Sequence, residues 1–276
     1  MATAVIDGIV TRYEVVGSGE PLLMFSPGGF DATLDKWRTQ SVYARIKPLD
    51  HLSRQYTCII FDRRETGESG GRVESITWDH YARQGRGLLD HLKIDRAHVM
   101  GGCMGVAPAI RFGVTHPAAT MSLLLFWPVG GAKYRIMSHQ RFADHVAYVN
   151  ENGLAAVVAL AKSGDASFGQ DPRGGPWVSV LRRDAAFTGA YARQDVGEYS
   201  ATVTGMCCNL FDRDTAPGAE PEDLLRLEIR ALVIPGSDAT HATSAAWYLH
   251  ECQPKSELWN VPADQQTEQN APKRML

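Results

Sequence analysis

The chain has 276 residues, a formal net charge of -3, 44% hydrophobic residues and 21% charged residues. That length is enough for one large core with a smaller layer added to it. The composition is that of an ordinary globular protein, and the mildly acidic balance argues against nucleic acid or an anionic membrane as the main partner.

The first seven residues lack a basic region followed by a long apolar stretch, so no signal peptide is expected. No run of about 18 apolar residues occurs, so no membrane span is expected either. Ile9 to Val16 alternates well enough for a strand. Pro21 to Phe25 is continuously apolar, as in a strand buried on both faces, and runs into the turn Ser26-Pro27-Gly28-Gly29. Tyr56 to Phe61 reads as the next buried strand, with Asp62 at its end. A helix is expected from Thr77 to Leu92, weakened by Gly85 and Gly87. Ala97 to Met100 reads as a short strand leading into Gly101-Gly102-Cys103-Met104-Gly105. A helix to Thr115 and a strand from Met121 to Phe126 follow.

Residues 131–226 differ in character. Helical stretches at 142–149 and 154–162 are separated by loops such as Gly174-Gly175-Pro176 and Ala216-Pro217-Gly218. They read as a helical cap of residues 131–226, inserted after the sixth strand of a core made of 1–130 and 227–276. The sheet resumes at Ala231 to Ile234, followed by Pro235-Gly236-Ser237-Asp238, a helix at 243–252 and a strand at 257–261. Strands alternating with helices imply a mainly parallel sheet flanked by helices.

The five cysteines are Cys58, Cys103, Cys207, Cys208 and Cys252. An odd count without a CxxC pair speaks against a disulfide framework and against a zinc site. A reducing cytoplasm fits this usage best. GxGxxG and the P-loop pattern are both absent, so no cofactor is expected, and no metal. The implied partner is a small-molecule substrate.

The chemistry centres on Gly101-x-Cys103-x-Gly105 between a strand and a helix. A nucleophile on that sharp turn needs flanking glycines because neighbouring backbone approaches closely. A thiol at a helix N-terminus is further expected to have a lowered pKa.

Here the chain resembles the α/β-hydrolase fold family, with cysteine where most relatives carry serine. Three other segments support the likeness. Ser26-Pro27-Gly28-Gly29 stands where the family has its His-Gly oxyanion loop. Asp62-Arg63-Arg64-Glu65-Thr66-Gly67-Glu68-Ser69 is similar to the family's Asp-x-Arg-Gly-x-Gly-x-Ser loop, with Glu65 replacing a glycine. Pro235-Gly236-Ser237-Asp238 is similar to the strand end that supplies the catalytic acid. The resemblance covers residues 7–130 and 228–276. It implies Cys103 as nucleophile, Asp238 as acid, and an oxyanion hole from the N–H of Met104 with that of Gly29 or Phe30.

The family's histidine, just after the last strand, is missing. The stretch 261–272 contains none, and Gln265 falls near its place. His241, three residues after Asp238, is the best substitute. His139 and His145 in the cap could also face the cavity. Trp177, Phe187, Tyr191, Tyr199 and Phe211 would either line a pocket or form the cap's own core.

The reading that results is a cysteine-dependent enzyme acting on an ester, lactone, thioester or activated carbon–carbon bond. Its elbow resembles that of dienelactone hydrolases. A non-hydrolytic acyltransferase, cyclase or lyase, and a binding protein without catalysis, are the alternatives, both motivated by the missing histidine.

Overall fold

Eight strands assemble because their apolar residues repeat with a period of two or fill whole segments. They are β1 (Ala2–Ile6), β2 (Ile9–Val16), β3 (Glu20–Phe25), β4 (Tyr56–Phe61), β5 (Ala97–Gly102), β6 (Thr120–Phe126), β7 (Ala231–Ile234) and β8 (Ser256–Leu258). The computed structural model describes residues 2–276. All eight strands form one sheet in the order β1-β2-β4-β3-β5-β6-β7-β8. β2 runs antiparallel to both β1 and β4, and every other pairing is parallel.

The helices are α1 (Lys36–Thr39), α2 (Ser41–Ile46), α3 (Pro48–Leu52), α4 (Trp78–His91), α5 (Val106–Thr115), α6 (Ala132–Ser163), α7 (Val178–Arg183), α8 (Ala185–Ala192), α9 (Val196–Leu210), α10 (Pro221–Leu225), α11 (Thr243–Cys252) and α12 (Ala271–Met275). One face of the sheet is covered by α4, α5 and α11, through Leu88, Leu89, Ile110, Phe112 and Leu249. The other face is covered by α1–α3 and α12, through Trp37, Tyr43, Ile46, Leu52 and Met275. Both faces being covered explains why the central strands are unbroken apolar runs. The glycines in α4 do not interrupt it. A Cβ on Gly85 would meet the Phe25 ring at 2.6 Å, so this glycine lets the helix lie close on the sheet.

Between β6 and β7 the chain makes a helical insertion. The sequence predicts two helices at 142–149 and 154–162. The structure has one long element from Ala132, broken only where Gly153 takes φ +76°. Trp177, Tyr191 and Tyr199 are buried against one another there, and Tyr191 donates a hydrogen bond to the Tyr199 hydroxyl at 2.6 Å. The core of this layer is continuous with Phe30, Cys103 and Met104, so the insertion sits over the turn that carries the thiol.

The parallel strands β3, β4, β5, β6 and β7 all end at the same edge, where such sheets hold their ligands. The loop after β4 stabilises that edge. Asp62 accepts hydrogen bonds from the backbone N–H of Leu34 and of Glu68, both at 2.7 Å. Glu65, at φ +69°, has the conformation that favours the glycine of the resembled motif. Its buried carboxylate is met by Arg64 at 2.9 Å, and burial pushes its pKa up to about 7 despite that partner.

Candidate active site

Cys103 stands at the first residue of a single 3-10 turn, Cys103–Gly105, that joins β5 to α5. Its φ is +54°, a conformation that non-glycine residues rarely adopt. The glycines beside it are sterically required. A Cβ on Gly101 would lie 2.3 Å from the Gly105 carbonyl oxygen, and one on Gly105 would lie 2.3 Å from that of Phe25. The turn thus raises the thiol above the sheet edge while strand and helix pack tightly beneath it.

His241 and Asp238 occupy the loop between β7 and α11. The Asp238 carboxylate accepts from the N–H of Thr240 at 2.8 Å and from that of His241 at 2.9 Å. Its oxygens lie 2.9 Å from His241 Nδ1. The loop curls tightly because Gly236 has no side chain; a Cβ there would lie 2.6 Å from His241 Cβ. Gly130, just after β6, donates to the Thr240 carbonyl at 3.1 Å and anchors the loop laterally. The Trp127 ring lies 5.4 Å from the imidazole, centroid to centroid.

The second imidazole nitrogen, Nε2, is buried and has no hydrogen-bond partner. Cys103 is near enough for the two groups to shift each other's titration. Burial opposes the charged form of both groups, but the attraction between a thiolate at Cys103 and an imidazolium at His241 outweighs it. The Cys103 pKa is lowered, helped by the backbone N–H groups of Gly28 and Met104. The His241 pKa rises to about 9, with Asp238 also contributing. The Asp238 pKa is lowered: its partial burial is outweighed by His241 and the two backbone donors. These opposite shifts favour a thiolate–imidazolium pair over a neutral thiol and imidazole.

Above the thiol lies a cavity of about 160 Å³, lined by Gly29, Phe30, Cys103, Met104 and Thr240, with α6 and Phe211 as its roof. The loop after β3 is clamped from behind. The fully buried Arg63 donates through Nη2 to the carbonyl oxygens of both Gly28, at 2.8 Å, and Gly29. A trans peptide points its N–H opposite to its C=O. Fixing these two carbonyls therefore turns the N–H groups of Gly29 and Phe30 to the other side. Arg63 was not singled out by sequence reasoning, because it sits at the variable position of the resembled motif. Gly28, expected only as part of the oxyanion turn, also bears on the thiol, because its backbone N–H helps to lower the Cys103 pKa.

The other expected candidates separate clearly. Phe211 lines the cavity, whereas Trp177, Tyr191 and Tyr199 belong to the core of the insertion. His145 is fully buried at 2.7 Å from the Tyr199 hydroxyl, and burial lowers its pKa to about 4. His139 sits 2.9 Å from the Phe211 carbonyl oxygen. Neither lines the cavity. Cys58 is fully buried, which pushes its thiol up to about 12.

Gln265, near the expected histidine position, is exposed. Its neighbour Gln266 is fully buried instead. Gln266 donates to the carbonyls of Pro235 at 2.8 Å and Val261 at 2.9 Å, and accepts from Trp127 Nε1 at 2.7 Å. This side chain ties the ends of β6 and β7 to the C-terminal segment. Among the described residues, no group of His, Cys, Asp and Glu could hold a metal ion, and no helix is long and apolar enough to cross a membrane.

Residues 21–119 match the family model described as alpha/beta hydrolase fold. A hydrolase from Pseudomonas aeruginosa PA01 is similar in structure, with a TM-score of 0.63 and 20% identity over 99% of this chain and 94% of that one. So is the enol-lactonase from Burkholderia xenovorans LB400, with a TM-score of 0.59 and 18% identity over 99% and 95%. Among curated proteins, the dihydrolipoyllysine-residue acetyltransferase component of the acetoin cleaving system of Cupriavidus necator is 32% identical over 45% of this chain and 31% of its own length. The 2-hydroxy-6-oxo-6-phenylhexa-2,4-dienoate hydrolase of Comamonas testosteroni is 28% identical over 45% and 42%. The chain thus spans less than half the length of these two relatives. Strand order, the thiol-bearing turn after β5 and the matched family model lead to one conclusion: this chain has the α/β-hydrolase fold.

Proposed function

We propose that the protein is a hydrolase that uses Cys103 as its nucleophile, His241 as general acid and base, and Asp238 to orient His241. The carrying observation is that Asp238 holds Nδ1 of His241 at 2.9 Å while the buried Nε2 has no hydrogen-bond partner and the ring's titration is linked to that of Cys103. The thiolate attacks a carbonyl carbon, and the developing oxyanion is held by the N–H of Met104 with those of Gly29 and Phe30. Each such donor contributes about 3 kcal/mol in comparable sites. The imidazolium gives its proton to the leaving group. The neutral imidazole then takes a proton from water, which cleaves the acyl-thioester and restores the thiolate.

The substrate class is a small ester, lactone, thioester or activated carbon–carbon bond. Hydrolases of such bonds are among the similar proteins, including the enol-lactonase and the dienoate hydrolase. In this reading residues 131–226 act as a cap that closes the cavity. The transferase, cyclase and lyase readings drew on the missing C-terminal histidine, as did the binding-protein reading. In this reading His241 takes the place of the missing histidine, and its pairing with Asp238 supports the hydrolytic reading over those alternatives.

Turnover of a panel of lactones, thioesters and vinylogous diketones in oxygen-18 water tests the proposal. One labelled oxygen in the acid product, lost together with activity in Cys103→Ala, is the expected result. Product without label moves the assignment to transfer or ring closure, and full activity in Cys103→Ala removes the nucleophile.

A further inference from the structure

The face of α6 that looks into the cavity consists of Tyr134, Met137, Ser138 and Arg141. The spacing of three, four and seven residues puts them on one stripe of the helix. Three of the four carry hydrogen-bond donors, in a cavity whose other walls are largely apolar.

These donors are not used up by the protein. The Tyr134 hydroxyl is buried with no hydrogen-bond partner. Ser138 is 1% exposed and borders the same space. Arg141 lies close enough to influence the Tyr134 phenol, yet the described residues include no ion pair to its guanidinium. The one carboxylate on the cavity wall, Asp31, is engaged by Lys36 at 2.6 Å. The uncompensated charge at the cavity is therefore positive. Burial keeps the Tyr134 phenol protonated, so it can only help as a donor to an anion.

We propose that the Tyr134–Ser138–Arg141 stripe of α6 is a subsite for a carboxylate on the substrate, at the end remote from the carbonyl attacked by Cys103. This rests on the reading of Cys103 as the nucleophile. The guanidinium offers two parallel N–H groups that match a carboxylate. The hydroxyls of Tyr134 and Ser138 satisfy its remaining lone pairs. The cavity, about 160 Å³, is small beside ordinary ligand pockets of roughly 300–1,000 Å³. A short dicarboxylate half-ester, half-thioester or keto acid is the class that fits both its size and its charge.

Calorimetric titration with glutarate and with its neutral diamide, glutaramide, tests the subsite without requiring turnover. The wild type is expected to bind glutarate at least 10-fold more tightly. Arg141→Gln should bring the two ligands within about 3-fold of each other, with Arg141→Lys between the two and Tyr134→Phe giving a smaller loss. Equal affinity for both ligands, no binding of either, or an undiminished preference in Arg141→Gln overturns the proposal. Acylation of Cys103 by a neutral thioester, followed in parallel, separates the two claims. A preserved glutarate preference with no acylation sinks the chemistry and leaves the subsite standing, and the converse result sinks the subsite alone.

Discussion

Asp238 and His241, three residues apart in one loop, are joined carboxylate to imidazole at 2.9 Å. The same carboxylate accepts the backbone N–H groups of Thr240 and His241, so a single turn fixes both partners. Half of the Asp238 side chain is exposed, whereas that of His241 is 12% exposed. The carboxylate can therefore stay solvated and ionised while the ring is screened against Cys103. His241→Ala should lower kcat/KM at least about 100-fold. Asp238→Asn should lower it by about 10-fold or more, since the ring loses the acceptor that fixes its tautomer. Steady-state kinetics on one activated ester checks both, and unchanged values for His241→Ala remove it from the mechanism.

The lowered pKa of Cys103 and the raised pKa of His241 define a pH window. Below the thiolate's pKa the nucleophile is protonated. Above about 9 the imidazolium has lost the proton that the leaving group needs. Between these limits the pair is intact, so alkylation of Cys103 by iodoacetamide should proceed well below the ordinary thiol range. In His241→Ala the alkylation profile should move up towards that range. Identical profiles for the two proteins would show that His241 does not act on the thiol.

Arg63 is expected to work through the backbone it holds. Arg63→Lys keeps the charge but loses the rigid planar group whose Nη2 reaches both carbonyls. The N–H groups of Gly29 and Phe30 should then be less well aimed, lowering kcat by about 10-fold to 1,000-fold. The alkylation rate of Cys103 should change little, because His241 still faces it. Loss of both rates together would mark Arg63 as merely structural.

Gln266 is expected to matter for stability. Gln266→Ala leaves the carbonyls of Pro235 and Val261 and the indole N–H of Trp127 without their partner. Each unsatisfied buried group costs about 1–3 kcal/mol before water enters. Chemical denaturation should therefore show a loss of at least about 1 kcal/mol. No change would mean that this network is dispensable.

The sheet was legible because its central strands are buried on both faces. Pro21 to Phe25 and Tyr56 to Phe61 are unbroken apolar runs, and β2 and β7 match their predicted bounds. β1 escaped attention although Asp7 and Gly8, both with positive φ, form the tight turn that pairs it with β2. The strand is short and largely exposed on one side, so its apolar pattern is thin. α6 was divided and begun ten residues late because Gly153 breaks it and its first turns carry exposed Ile136 and Met137. The sharp turn at Cys103 could be read from its glycines, since close backbone approach demands them. The pairing of His241 with Asp238 could be anticipated from their nearness in sequence. Arg63 could not, because a clamp on carbonyls 34 and 35 residues earlier in the chain leaves no local pattern, and the place of Arg141 on the cavity wall shows only once α6 is laid over it.

Intact-protein mass spectrometry during reaction with an activated thioester tests the central claim most directly. The account predicts an acyl adduct on Cys103 that forms rapidly and decays in water at the turnover rate. In His241→Ala the adduct should persist, and in Cys103→Ala it should be absent. Turnover without any adduct in the wild type, or an adduct of the same mass in Cys103→Ala, would contradict it.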